Sequence, residues 1–544
     1  MKRYIEQPEN KNFDVVIVGG GISGACVAYE AASRGLSVAL FEKSDFGGAT
    51  SAATSKLIHG GLRYLSYFEL GLVRESLRER RILENIAPNF VFPLPFLIPT
   101  YKGGVSSNRW VLKLGMILYD LLSFDKGHTR DKSKKLPVHH SLSRKEIVEI
   151  SPLLDKKDLS GGHVYYDCQS FSPERLTLAF IKSAVAQGAR VSNYTEVTDF
   201  LRSPDGRIVG IYAKDRLTGR NSVVRGSLVI NSGGPWAGTL LDKASGKKSP
   251  HSIRMSEGIH IIVPSITKEH ALVLQTPARR HFFLIPWRGK SLIGTTDKDY
   301  KGNPDEYHVT RESIQEFIAE INATFGQEVI RYQDIIHAYG GLRPLTDTHT
   351  ESSYSTSRRY EIFDGASEGL PGLITVEGGK YTTSRNLAAS VLKVIEQNLD
   401  RTLPRSMTGK RPLFGSEMHS LDDFTEGAIR NNPDFLSQTI RYLVRAYGTE
   451  YSRILDLARE VPALAETVNP DGEILAEVLF AVREEMAVSL FDVLTHRTGL
   501  GTLGLPEAPL LGEIAGVMAR ELKWDQAKTA EEIESVRRRL GMPV

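Results

Sequence analysis

Cysteine is nearly absent from this 544-residue chain, with only Cys26 and Cys168 present. The two are far apart and lack metal-ligand spacing, which excludes a disulfide framework and a structural zinc site and points to free thiols in a reducing compartment. Long apolar runs are missing too. The best candidate, Trp110 to Leu122, carries Lys113 and Asp120, so no segment supplies the roughly 20 uninterrupted apolar residues of a membrane-spanning helix. The first apolar stretch, Phe13 to Val18, is six residues long and runs into glycines. That is too short for a signal-peptide core, so a cytoplasmic protein is expected. Strong charge of one sign is also lacking: a net charge of +3 argues against nucleic acid as a partner but leaves room for local basic patches. No internal repeat or low-complexity tract interrupts the chain. With 41% hydrophobic and 24% charged residues, the composition is that of a globular protein whose length calls for two or three domains.

What is present begins with Phe13 to Gly35 and Leu36 to Glu42, which alternate strand, glycine turn, Ala-rich helix and strand, the βαβ unit of a doubly wound sheet. Pro173 to Gln187 reads as a helix stopped by Gly188, and the turn dipeptides Asp205-Gly206 and Thr218-Gly219 suggest a β-meander that ends at the strand and turn Val229 to Trp236. Leu373 to Val376 is a further strand, followed by Gly378-Gly379-Lys380 and a helix from about Thr382 to Asn398. From about residue 415 the pattern is helical and charged. The expected architecture is α/β: a discontinuous doubly wound nucleotide-binding domain (13–90, 166–254 and 351–400), an inserted β-rich substrate domain (91–165 and 255–350) and a helical C-terminal domain (401–544).

Gly19, Gly21 and Gly24 form G-x-G-x-x-G between a strand and a helix, where backbone amides and the helix N-terminus hold a pyrophosphate. Glu42, 23 residues after Gly19, ends the next strand, where a carboxylate accepts hydrogen bonds from a ribose diol and disfavours a 2'-phosphate. The fingerprint alone does not separate NAD from FAD. The Ser-, Thr- and Gly-rich stretch Thr50 to Leu65 favours FAD, because it is a poor regular element and a good loop to run beneath an isoalloxazine ring. Within it, Thr54-Ser-Lys-Leu-Ile-His-Gly-Gly-Leu-Arg-Tyr-Leu65 puts Lys56, His59, Arg63 and Tyr64 around a glycine pair, as the wall of a flavin site that receives an anionic substrate. The cofactor-side set is Gly19, Gly21, Gly24, Glu42, Thr50, Ser51, Ser55, Lys56, Leu57, Val197, Trp236, Gly378, Gly379 and Thr382. Metal is not expected.

The fingerprint, the Ser55 to Leu65 run, the Gly234-Pro-Trp turn, Gly294-Thr-Thr-Asp297, Gly341-Leu-Arg-Pro344 and Gly378-Gly-Lys380 occur in the order seen in FAD-dependent glycerol-3-phosphate dehydrogenases of the aerobic type. The chain resembles that family over nearly its whole length. It departs at Asn231-Ser-Gly-Gly234, where the family usually has Asn-Ala-Thr-Gly, which puts one cofactor-side hydrogen bond in question. The resemblance implies oxidation of glycerol 3-phosphate to dihydroxyacetone phosphate with electrons passed to membrane quinone. By motif it implies substrate-side roles for His59, Arg63, Tyr64, His260, Arg343, Arg358 and Lys380.

A phosphate dianion needs several fixed donors, so Arg343 and Arg358, with Tyr64 or Arg63, are expected to clamp it. Arg359, adjacent to Arg358, leaves open which of the two makes the contact. His59 or His260 is the proton acceptor for the C2 hydroxyl, while Lys380 or Arg343 stabilises the developing alkoxide. His260 alternates with apolar residues on a strand and also reads as a core histidine. Two rival functions stand beside the dehydrogenase: an oxidase passing electrons to oxygen, and a flavin-binding module without turnover. Arg74, Arg78, Arg80 and Arg81, upstream of Trp110 to Leu122, suggest peripheral contact with an anionic bilayer on its cytoplasmic face. Glu75, Glu79 and Glu84 offset that charge, and a core helix is the alternative. A homodimer is expected.

Overall fold

The computed structural model describes residues 1–9, 11–102, 108–248, 253–345 and 359–543. Two sheets organise the first 400 residues. In the first, of eight strands, Arg190–Ser192, Val38–Phe41, Asn12–Val18, Asn221–Asn231 and Leu373–Gly378 lie side by side and parallel, and Tyr360–Asp364 closes one edge antiparallel. The chain winds outward from Asn12–Val18 in one direction and then returns to add Asn221–Asn231 on its other side. The order therefore reverses between these two strands, which places the crevice of a doubly wound sheet at their carboxyl ends.

Both faces of this sheet are covered, as a parallel sheet requires. Val15, Ile17, Leu40, Leu228 and Ile230 face one core, against the helices Ile22–Ser33, Pro173–Ala186 and Ser384–Leu399. Val16, Val18, Ala39, Phe41 and Val229 face the other, under the antiparallel meander Thr195–Arg202, Ile208–Asp215 and Asn221–Asn231. The Pro173–Ala186 helix starts as its sequence dictates, with Ser172 capping the Arg175 amide and Pro173 in the first turn. It ends before Gly188 at φ 94°.

The second sheet has ten strands and is antiparallel except where Ala271–Gln275 meets Val91–Tyr101. Its long members are Val91–Tyr101, Leu159–Ser170, Arg254–Pro264 and His337–Leu345. Leu57–Ile58 pairs with Cys168 and Gln169 in this sheet, so the second layer reaches into the 13–90 and 166–254 spans. The flavin-loop candidate thus bridges the two sheets.

Beyond Leu421 the chain is helical around its own core of residues such as Ile440, Leu443, Phe480 and Ile514. It grips the nucleotide-binding layer through buried charge. Arg175 pairs with Glu485, and Lys182 with Glu450 and Glu485. Arg497 donates to both oxygens of Asp45 at 2.7 Å, and His496 Nδ1 stands 2.9 Å from the same carboxylate. The Arg497 charge and the hydrogen bonds with His496 and Arg497 hold the Asp45 carboxyl well below the usual carboxylate range against the effect of burial. Asp45, Asp492 and His496 bring potential metal ligands together, but the Arg497 guanidinium already takes both Asp45 oxygens.

Candidate active site

One cavity of about 1170 Å³ runs between the sheets, from the fingerprint turn to the His59–Tyr64 segment. At its nucleotide end, Gly19 has φ 107°, and a Cβ there would stand 2.4 Å from Ser232 O. A Cβ on Gly24 would stand 2.0 Å from Gly19 O. Glycine alone lets the two turns at the sheet's switch point press together and the helix approach the strand. Gly21 caps the Ile22–Ser33 helix without a side-chain hydrogen bond, and Gly21, Ile22 and Ser23 line the cavity. Ser51 Oγ accepts from the Ile22 amide at 2.9 Å. Glu42 projects to the cavity with Oε2 accepting from the Gly20 amide at 2.7 Å and Oε1 from the Ser44 amide at 2.9 Å. A helix N-terminus whose cap residue has no side chain, a glycine turn that excludes side chains and a neighbouring carboxylate fit a pyrophosphate with its ribose.

The remaining cofactor-side candidates divide. Thr50, Ser51, Ser55, Leu57, Val197, Trp236, Gly378, Gly379 and Thr382 line the cavity. Trp236 also donates to Asp305 at 3.0 Å, with the Lys43 ammonium 3.9 Å from its ring centre, closing the nucleotide end. Gly24 acts from behind, as the close contact of helix and strand. Lys56 does not join them. It is buried, ion-paired with Glu174 and packed over the rings of Trp287 and Tyr339, because its position beside the short Leu57–Ile58 strand turns it into the protein and away from the cavity. At the Asn231 to Gly234 departure, a Cβ on Gly233 would meet Leu240 Cδ1 at 2.7 Å, so a larger residue here would require Leu240 to move.

His59, Arg63, Tyr64, His260, Arg343 and Lys380 all line the same cavity. Three come from the short turn that follows Leu57–Ile58, two from adjacent antiparallel strands of the second sheet, and Lys380 from the turn beyond Leu373–Gly378. Lys380 Nζ donates to Ser76 Oγ at 3.1 Å and lies over the Tyr64 ring, while Arg63 donates to the Tyr64 hydroxyl at 3.2 Å. The Arg343 guanidinium is held by the carbonyls of Glu257, at 2.9 Å, and Thr296. Arg358 lies outside the described residues; its neighbour Arg359 is exposed and pairs with Glu69.

His260 is buried, stacked on its cross-strand partner Tyr339 at 5.0 Å, with Nε2 2.8 Å from Ser55 Oγ. Its Nδ1 is a buried polar atom with no hydrogen-bond partner among the described residues. Burial, reinforced by Arg343 and Lys56, holds this ring far below the ordinary histidine range. Burial also lowers His59 to about 4, opposed by the Asp167 carboxylate and aided by Lys380 and Arg63. Lys380 is lowered chiefly by burial. Near neutral pH both imidazoles are therefore uncharged.

Several cavity residues escaped the sequence reading. Phe283, whose ring meets His59 edge-on at 6.0 Å, and His281 sit on one strand, and Thr295 and Thr296 were noted only as part of a motif. Asp167 lies behind the His59 turn and is fully buried. An acidic residue beside the run His163-Val-Tyr-Tyr166 was the available signal, since a carboxylate is seldom buried without a partner. The basic surface expected near residues 74–81 is largely absent. Arg80 is buried on Asp167, and the half-buried Arg74 and Arg81 pair with Asp125, while Arg78 stays exposed. Of the Arg109–Leu122 helix only Met116 and Tyr119 are buried, so it is not a core helix.

The chain matches the FAD dependent oxidoreductase family over residues 14–385 and the C-terminal domain of alpha-glycerophosphate oxidase over residues 406–529. It is 36% identical over 511 residues to a glycerol-3-phosphate dehydrogenase of Synechocystis sp., covering 92% of this chain and 90% of that protein. It is 33% identical to a D-erythritol 1-phosphate dehydrogenase of Brucella abortus, covering 90% of this chain and 95% of that protein. Among solved structures it is similar to the glycerol-3-phosphate dehydrogenase of Bacillus halodurans complexed with FAD, with a TM-score of 0.78, 26% identity, and 98% and 95% of the two chains covered. The chain belongs to the FAD-dependent oxidoreductases and, within them, to the glycerol-3-phosphate dehydrogenase family.

Proposed function

We propose that the protein oxidises sn-glycerol 3-phosphate to dihydroxyacetone phosphate, with FAD as hydride acceptor and quinone as the final electron acceptor. The observation that carries this reading is the gathering of Arg63, Tyr64, His260, Arg343 and Lys380 from four separate segments onto the cavity that begins at the fingerprint turn. Bound FAD supplies an electrophilic ring nitrogen for the hydride from C2. Arg343 and Arg63, with the Tyr64 hydroxyl, bind the phosphate and orient C2, each charge-assisted hydrogen bond contributing about 1.5–3 kcal/mol. His59 and His260 are the two proton acceptors that the motifs put on the cavity wall, which His281 also lines. Of these His260 is the more rigidly held, clamped by Ser55 and Tyr339 with one ring nitrogen unpartnered. Lys380 stabilises the alkoxide as its proton leaves.

The division into nucleotide-binding, substrate and C-terminal domains places this chemistry between the first two. Contact with a bilayer is assigned to the Arg109–Leu122 helix and its neighbours. Trp110, Leu114 and Leu121 there are each more than 60% exposed, as are Phe68 and Phe124, and Leu114 and Leu118 also rim the cavity. Among the described residues no helix is long and apolar enough to cross a membrane.

The relative that acts on D-erythritol 1-phosphate makes a longer polyol phosphate the second reading. Anaerobic mixing of the yellow holoenzyme with each substrate tests both: glycerol 3-phosphate is expected to bleach the flavin absorbance faster, and bleaching by D-erythritol 1-phosphate alone would reverse the assignment. Reoxidation by a short-chain quinone, faster than by oxygen and without hydrogen peroxide, separates dehydrogenase from oxidase.

A further inference from the structure

We propose that Asp167 is a positioning residue for the Gly60–Gly61 turn, and that through its hydrogen bond from Tyr119 the exposed Arg109–Leu122 helix sets the placement of His59. Asp167 is fully buried on the Leu159–Ser170 strand. A carboxylate there persists only if its lone pairs are filled, and three donors fill them. Arg80 forms an ion pair with Oδ1, the Tyr119 hydroxyl donates to Oδ2 at 2.6 Å, and the Gly60 amide donates at 3.3 Å to Oδ1 and 3.4 Å to Oδ2. The last of these is the backbone of the turn that carries His59.

The fit leaves no slack. A Cβ on Gly60 would lie 2.3 Å from the Tyr119 hydroxyl and 2.4 Å from Leu77 Cδ2, and Gly61 adopts φ 74°. The same helix is tied to the carboxylate a second time, because Arg80 donates to Ser123 Oγ, at the helix C-terminus, at 2.8 Å. Tyr119 and Met116 are its only buried residues, while Trp110, Val111, Leu114, Ile117, Leu118 and Leu121 are exposed. Whatever that face meets therefore pulls on the oxygen that orders the Gly60 amide. The Asp167 charge also supports the proton affinity of His59.

The kinetic part of the test rests on the substrate reading above; the exchange part does not. Tyr119→Phe removes one hydroxyl and keeps the ring against Tyr165, 5.6 Å away edge-on. In the FAD-loaded full chain, amide hydrogen exchange of the 57–66 segment should rise about tenfold, with exchange in 12–30 unchanged. The limiting rate of flavin bleaching by glycerol 3-phosphate should fall about tenfold at unchanged flavin content. That loss should shrink when the substitution is made beside His59→Gln. Ser123→Ala, which loosens the second tie, should move the exchange of 57–66 in the same direction. Unchanged exchange at 57–66 in both variants overturns the inference whatever the substrate. Losses that multiply fully with His59→Gln overturn it as well. A wild type that glycerol 3-phosphate does not bleach overturns the substrate reading instead, and the exchange comparison still decides the inference.

Discussion

Lys380 holds its ammonium 4.0 Å from the centre of the Tyr64 ring, joining two motifs from opposite ends of the nucleotide-binding layer across the cavity. Burial makes a bare ammonium costly there, and the ring face with Ser76 Oγ compensates in part. On the proposed substrate-side assignment, an oxygen that gains negative charge would complete the compensation. Lys380→Ala, and separately Arg343→Ala, should lower kcat/KM by about 2–4 kcal/mol of transition-state stabilisation while FAD stays bound. Steady-state kinetics with flavin content measured on the same samples checks this; wild-type kinetics in both would sink the substrate-side assignment.

Glu42 should act on cofactor retention instead. Its carboxylate already orders the Gly20 and Ser44 amides, so Glu42→Ala removes a brace of the turn and, on the proposed assignment, the ribose acceptor. FAD affinity should fall by about 1.5–3 kcal/mol, the worth of a charge-assisted hydrogen bond. Equilibrium dialysis of FAD measures it, and affinity equal to wild type would remove Glu42 from the ribose site.

Gly24→Ala tests the switch point. The added Cβ would stand 2.0 Å from Gly19 O, which is backbone and cannot swing aside. Separation of helix and strand should cost about 1–3 kcal/mol of stability and most of the bound FAD. Thermal melting with flavin release as a second signal reads both.

His337 gives a pH prediction. Burial, followed by the Lys56 charge, lowers it from 6.5 to about 4. A depressed pKa means that the unfolded chain binds the proton first, so the stability His337 contributes is present above 6.5 and is lost as the pH falls towards 4. The slope amounts to at most about 1.4 kcal/mol per pH unit. Glu84, raised to about 7 by burial, works the other way, its contribution being lost as the pH rises through 7. His337→Gln should therefore flatten the acid side of the stability curve between pH 6.5 and 4. Denaturant midpoints across that range decide, and curves parallel to wild type would count against the depressed histidine.

Bilayer contact should be apolar rather than electrostatic, since Arg74, Arg80 and Arg81 are occupied by Asp125 and Asp167. The protein should pellet with anionic vesicles and resist release by salt. The triple variant Trp110→Ser, Leu114→Ser, Leu121→Ser should stay in the supernatant with its flavin intact. Release of the wild type by salt would shift the contact back to a basic surface.

Local rules explain what was readable. The strand, glycine turn, helix and second strand from Phe13 to Glu42 occupy one short stretch, where Gly24 answers the closeness of Gly19 O and Gly35 a φ of 85°. The helix over 173–186, the meander and the Leu373–Gly378 strand were legible for the same reason. Lys56 was not, because its partner Glu174 lies 118 residues away and only the pairing of Leu57–Ile58 with Cys168 and Gln169 turns it inward.

The sequence by itself determined the βαβ nucleotide cradle, the acidic residue after it and the helical character of the C-terminal region, because these depend on backbone sterics and periodicity within a few turns of chain. Only the tertiary structure decided where the charges and apolar faces went. Asp45 and Arg497 are 452 residues apart yet share two hydrogen bonds, and the amphipathic Arg109–Leu122 helix turned its apolar face outward while sending Tyr119 to Asp167. Periodicity states that a helix has an apolar side. What that side meets, and which buried carboxylate finds which cation, is set by chain topology and the cost of leaving charge unpaired away from water.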